Sequence, residues 1–189
     1  MTEKDNKNSG FTFKAGDALW GNIFKKETDQ KETAIALLRN VPLFRKMRKS
    51  ELNELEKIIH RRKYKTDETV FYDGEPGVGM YVIQEGSIGI DKTEGDGKQK
   101  RLAELKKGEF FGELALLDES PRSATAVAIE ETQILGLFRP DLLELIDRKP
   151  RLGNKLLFEL AHLIGERLKH TNEELQKVWQ KLDEGKMIT

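Results

Sequence analysis

The chain has 189 residues, 33 basic and 33 acidic side chains, a formal net charge of zero and no cysteine. That balance argues against a generic nucleic-acid binder, and the missing cysteine rules out a disulfide framework, a thiolate metal site, iron–sulfur sensing through cysteine and a catalytic thiol. No apolar run approaches the ~20 residues of a membrane span and the polar N-terminus MTEKDNKNSG lacks a signal core, so the expectation is a cytoplasmic chain of one domain with extensions, burying roughly 70% of its unfolded surface.

Residues 1–27 are expected to form a partly disordered N-terminal extension, ahead of a domain at 28–150 and a long helix at 151–189. Phe11, Phe13, Leu19, Trp20 and Phe24 sit among Gly16 and Gly21, a pattern that fits packing on the domain or across a dimer, with a docking peptide as the alternative. Asp29–Asn40 is predicted helical, with Ala34, Ile35, Leu37 and Leu38 as its apolar positions and Pro42 ending it. Ser50 is the expected N-cap of a second helix bearing Leu52, Leu55, Ile58 and Ile59 at helical spacing. The basic clusters at 45–49 and 60–65 are expected to be solvated surface, because acidic residues flank both.

From Glu68 the period becomes that of strands. They are predicted at Thr69–Tyr72, Met80–Gln84, Ser87–Asp91, Lys100–Leu105, Ala124–Ile129 and Thr132–Phe138, separated by glycine-rich turns. Short strands at this spacing argue an antiparallel β-roll or jelly roll within an α+β fold.

Between the fourth and fifth of these strands lies FFGELALLDESPRSATA, residues 110–126. Gly112 allows the backbone to approach a ligand closely. The amides after it, opening a short helical turn, point at an anion. Arg122 can clamp that anion with two parallel charge-assisted hydrogen bonds, and Glu113 can accept from a hydroxyl. An acid and an arginine flanking one helical turn suit a small ligand that carries both an anionic group and hydroxyls.

After Phe138 the helical period returns. Pro140 suits the first turn of a helix to about Asp147, and Pro150 breaks it and can start the next. Leu157, Ala161, Ile164, Leu168, Thr171, Leu175, Val178 and Leu182 then recur at alternating spacings of four and three, the seam of a two-helix coil, so a parallel homodimer through 157–182 is expected. Leu156, Leu160 and Leu163 form a second stripe expected to face the roll.

The segment FGELALLDESPRSATA resembles the phosphate-binding cassette of the cyclic nucleotide-binding domain family, whose motif F-G-E-L-A-L…P-R-x-A is present letter for letter. The turns around Gly74 and Gly86 and the segments YVIQEG and GSIGI are similar to that family's β-roll. The resemblance implies a β-roll with N-terminal helices, a short phosphate-binding helix and a long C-terminal helix. It puts the ribose 2′-hydroxyl on Glu113 and the cyclic phosphate on Arg122, with backbone contributions from Gly112, Leu114, Ala115 and Ser123. The base would lie against apolar strand residues, Leu102 among them. RLKHTNEEL at 167–175 is similar to the helix of the bacterial catabolite activators in which a threonine meets the adenine amine across the dimer, which would give Thr171 that role. Ser123 is the serine common in bacterial members that take cyclic AMP.

The expected function is a regulatory module that binds a cyclic mononucleotide, cyclic AMP or else cyclic GMP, and answers by moving its C-terminal helix toward an unidentified protein effector. Phosphate capture would draw the cassette inward, repack Leu116 or Leu117 against the 140–147 helix and turn the hinge at Lys149–Pro150. The chain stops seven residues after Leu182, where the catabolite activators continue into a DNA-binding helix-turn-helix, so no direct DNA binding is expected. No catalytic group, cofactor or metal is expected, because His60, His162 and His170 form no triad-like or ligand-like grouping. The alternative is a scaffold with a vestigial roll that binds no nucleotide.

Overall fold

The computed structural model describes residues 33–93, 95 and 98–186, so the aromatic segment at 11–24 lies outside the described residues. A first helix, α1, is described over residues 33–40 and is followed by a 3-10 turn, Pro42–Phe44, and helix α2, Lys49–Glu56. Eight strands come next: β1 His60–Tyr64, β2 Thr69–Phe71, β3 Gly79–Glu85, β4 Ser87–Thr93, β5 Gln99–Lys106, β6 Phe110–Phe111, β7 Thr125–Ala128 and β8 Thr132–Phe138. A second 3-10 turn, Glu113–Leu116, separates β6 from β7, and helices α3, Arg139–Arg148, and α4, Pro150–Lys186, close the chain.

The strands form two four-stranded antiparallel sheets in the orders β1-β8-β3-β6 and β2-β7-β4-β5. This is the expected roll. The alternation of side chains along β3 and β8 explains why both read as nearly continuous apolar runs. Tyr81, Ile83 and Ile134 point into the roll with Ile88, Phe111, Ala126 and Ala128. Met80, Val82, Leu135 and Leu137 point the other way and share a second core with Leu38, Phe44, Leu52, Leu55, Leu142, Leu156 and Leu160 from the helices. The central strands β3 and β8 are therefore buried on both faces, and the helices pack on the outer one.

Helix α4 starts in that core and leaves it. Leu152, Leu156 and Leu160, four residues apart, are buried, and Leu157, Leu163 and Ile164 pack against them in part. The Leu156–Leu160–Leu163 stripe thus faces the domain as expected. Leu157 and Ile164, read as seam positions, are shared with the core. Three ion pairs run antiparallel beside this packing: Lys46 to Glu159 at 3.0 Å, Glu51 to Lys155 at 2.7 Å and Glu54 to Lys149 at 2.6 Å. Beyond Ile164 the seam side chains stand in solvent, with Leu168 59% and Val178 51% exposed.

One local expectation holds and one changes. The basic run at 60–65 is mostly the edge strand β1, whose charges face outward while its backbone pairs with β8. Charged residues on an exposed edge discourage pairing with another chain. Ser50 lies inside α2; its N-cap is Arg48, whose backbone amide donates to the Glu51 carboxylate at 2.7 Å in a capping box.

Candidate functional site

The polypeptide turns sharply as it leaves β6. Gly112 has a φ of 75°, the left-handed region, and a Cβ placed there would lie 2.6 Å from Nη1 of Arg122. Glycine thus serves twice, by making the turn and by letting a guanidinium lie against the backbone. The turn opens the 3-10 segment Glu113–Leu116 beside a cavity of about 400 Å³, within the roughly 300–1,000 Å³ range of small-molecule sites. Ile90, Ala103 and Leu105 from the second sheet and Phe110 form its apolar wall, and Glu113, Arg122, Ser123 and Arg167 supply polar groups.

Arg122 is only 7% exposed. Its guanidinium donates to the carbonyls of Gly79 at 2.8 Å and Gly112 at 3.2 Å, and sits 4.1 Å from the centre of the Phe71 ring. Among the described residues no carboxylate forms an ion pair with it, and its Nε has no partner. Burial pushes the guanidinium below its ordinary value, opposed by nearby Tyr81, Glu113 and Glu75. Burial also pushes the Tyr81 hydroxyl above its ordinary value. A buried cation bound to neutral carbonyls and aromatic faces is arranged to receive an anion.

Two backbone bonds hold the Arg122 segment in place. The amide of Gly74 donates to the Arg122 carbonyl at 2.8 Å, and the Arg122 amide donates to the Glu75 carbonyl at 2.7 Å. The β2–β3 loop is thus bonded through its backbone to the cassette, where Pro76 and Pro121 form an isolated bridge.

Glu113 is 6% exposed and pairs with Arg167 of α4. The Arg167 guanidinium also lies 4.7 Å from the Phe110 ring. Sequence reasoning did not single out Arg167, although it opens the RLKHTNEEL segment already marked, because its partner Glu113 is 54 residues away. Gly112, Glu113, Leu114, Ala115, Arg122 and Ser123 all meet at the cavity.

Leu102 does not line the cavity. β4 and β5 pair as Ile90 with Ala103 and Asp91 with Arg101, so Leu102 is the unpaired residue of a bulge, and it is 56% exposed. Ala103 and Leu105 take the wall position instead. Thr171 lies outside the cavity wall, one helical turn beyond Arg167, and its hydroxyl donates to the Arg167 carbonyl at 2.9 Å.

Among the described residues no group of three or more histidine, aspartate or glutamate side chains is placed to hold a metal, and no helix is long and apolar enough to cross a membrane.

Residues 61–149 match the family model of the cyclic nucleotide-binding domain, and the chain belongs to that family. It is 38% identical over 138 residues to the cyclic AMP receptor protein of Thermus thermophilus, an alignment covering 73% of this chain and 62% of that protein. The crystal structure of the N-terminal domain of a transcriptional regulator from Streptomyces coelicolor superposes with a TM-score of 0.65 at 32% identity, covering 74% of this chain and 94% of that one. The regulatory domain of Toxoplasma gondii PKA, crystallised with cAMP, superposes with a TM-score of 0.57 at 28% identity, covering 61% of this chain and 44% of that one. The chain spans less than two thirds of the length of curated relatives it matches.

Proposed function

We propose that the chain is a cyclic AMP sensor, with cyclic GMP as the second ligand to test, and that residues 28–150 bind the nucleotide while 151–189 transmit the result. The observation that carries this reading is the buried Arg122 guanidinium, held by two carbonyls and two aromatic faces at the cavity without a carboxylate partner. A cyclic phosphate is an anion of the right size for that position, and Gly112, Leu114, Ala115 and Ser123 offer backbone contacts around it. Glu113 accepts from the ribose 2′-hydroxyl, and the base rests on the wall of Ile90, Ala103 and Leu105. The name of the Thermus relative and the cAMP in the Toxoplasma structure support adenine over guanine.

The response is a population shift. Phosphate binding draws the cassette inward, Leu116 and Leu117 repack toward α3, and the long helix is redirected about Lys149–Pro150, presenting an altered surface to a protein effector. The exposed seam of α4 supports a homodimer, in which Thr171 of a second copy would reach the base. A sensor of an intracellular messenger works in the cytoplasm. Binding and signalling need no chemistry at Glu113 or Arg122, so no enzymatic step, cofactor or metal is proposed.

The test is isothermal titration of the chain, freed of co-purified nucleotide, with cyclic AMP and cyclic GMP, beside Arg122→Ala and Arg122→Lys. Removing the guanidinium is expected to cost about 2–5 kcal/mol of binding. Lysine, a point charge unable to span two carbonyls and an anion, should not restore it. Unchanged affinity in Arg122→Ala would overturn the reading. No binding by the unaltered chain would favour a scaffold whose roll takes no nucleotide.

A further inference from the structure

Behind the Arg122 segment lies an interaction that the ligand-binding scheme has not used. The Lys92 ammonium, at the end of β4, donates to the Ser123 carbonyl at 2.8 Å and to the Asp73 carboxylate at 2.8–3.0 Å. Asp73 is itself fixed, because its amide donates to the Thr125 hydroxyl at 3.0 Å. The next carbonyl back, that of Arg122, is taken by the Gly74 amide at 2.8 Å. Two successive carbonyls, 122 and 123, are therefore held by groups that do not line the cavity.

A trans peptide is planar, with its N–H opposite its C=O. Fixing the Arg122 carbonyl turns the Ser123 N–H to the other side of the segment, and fixing the Ser123 carbonyl does the same for the Ala124 N–H. Ser123 and Ala124 are wall residues of the cavity, whereas Asp73, Gly74 and Lys92 are not. The Gly74 bond is backbone to backbone and tolerates most side chains. The Lys92 bond depends on one amino acid.

We infer that Lys92 is a positioning residue for the anion site. Clamped by Asp73, it holds the Ser123–Ala124 peptide so that its N–H faces the ligand phosphate beside Arg122. This rests on the cyclic nucleotide reading given above. It assigns to Lys92 an effect on one side of the phosphate only, because the Arg122 guanidinium is held independently by Gly79 and Gly112.

The experiment compares the full chain with Lys92→Met, Lys92→Arg, Asp73→Asn and Arg122→Ala, titrated with cyclic AMP and with its Sp and Rp phosphorothioates. In each of these, sulfur replaces one exocyclic oxygen. Lys92→Met should weaken cyclic AMP about ten- to a hundredfold. It should also change the ratio of the two phosphorothioate affinities, since only the oxygen facing the loosened amides loses its donors. Lys92→Arg, which keeps the charge and two donors, should recover most of the affinity and the ratio, and Asp73→Asn should reproduce part of the defect. If cyclic AMP binds and Arg122→Ala abolishes binding while Lys92→Met keeps both affinity and ratio, the positioning role is overturned and the nucleotide reading stands. A weaker affinity at an unchanged ratio that disappears in high salt would make Lys92 only a distant charge, which also overturns it. No binding by the unaltered chain overturns both.

Discussion

Arg167 of the long helix α4 is bonded to Glu113 of the 3-10 turn, so a residue placed to receive a ligand hydroxyl is at the same time held by the helix proposed to transmit the signal. The pair is unequal: the carboxylate is buried, and half of the arginine side chain is in solvent.

Removing either partner should therefore have different consequences. Arg167→Met strands a buried carboxylate and is expected to destabilise the chain by about 1–3 kcal/mol. Adding Glu113→Gln should recover much of that loss, a coupling that a double-mutant cycle in urea would measure. Glu113→Gln alone should weaken cyclic AMP about tenfold while leaving 2′-deoxy cyclic AMP nearly unaffected.

Gly112 and Gly165 should respond in opposite directions to the same substitution. Gly112→Ala imposes the left-handed φ of 75° on an L side chain and places its methyl 2.6 Å from the Arg122 guanidinium. A cost of about 1–3 kcal/mol in stability is expected, together with weaker nucleotide binding. Gly165 lies inside α4 with nothing within 4 Å of an added Cβ. Gly165→Ala should stabilise the helix by up to about 1 kcal/mol, seen as a higher melting temperature.

Acid should loosen the attachment of α2 to α4. Hydrogen bonding from Lys155, then from the Arg48 amide, lowers Glu51 from 4.5 to about 2. Hydrogen bonding from Lys149 and then Lys57 lowers Glu54 from 4.5 to about 2. Both carboxylates are held below their unfolded value, so their contribution is fully present above pH 4.5 and is lost as pH falls from there toward 2. Thermal melts over that range should flatten in the Glu51→Gln/Glu54→Gln variant.

The proposed dimer makes its own demand on α4. Val178→Asp puts a charge into the seam at a half-exposed position outside the domain core. Sedimentation equilibrium should show a monomer at concentrations where the unaltered chain is dimeric, with helix α3 and the roll intact by hydrogen exchange. A dimer of unchanged strength would place the interface elsewhere.

The roll was legible because short apolar or alternating runs between glycine turns leave few alternatives; Thr132–Phe138 was placed to the residue and the five other expected strands to within two. Strand β1 was not, because a charged edge strand pairs through its backbone and shows no apolar alternation. β6, at two residues, is too short to carry a period. At the candidate site, the residues contiguous in the cassette motif meet as a motif reading would place them. Leu102 misled because a bulge shifts which side chains of β5 face inward, a feature of cross-strand register rather than of local sequence. Arg167 and Lys92 were missed for the same kind of reason: their partners Glu113 and Ser123 lie 54 and 31 residues away, and a single long-range polar contact leaves no local pattern.

The point at which α4 leaves the core has a mechanical consequence. Its first turns share a core with α2 through buried leucines and the Glu51–Lys155 ion pair, whereas beyond Arg167, which holds Glu113, no described side chain of α4 joins that core. At 1.5 Å per residue the stretch from Leu168 to Lys186 is about 29 Å long, so a tilt of about 10° at the root carries the far end about 5 Å. The domain therefore carries a long pointer, and a tilt of that size at its root would be read at the tip as a displacement larger than the width of a water molecule.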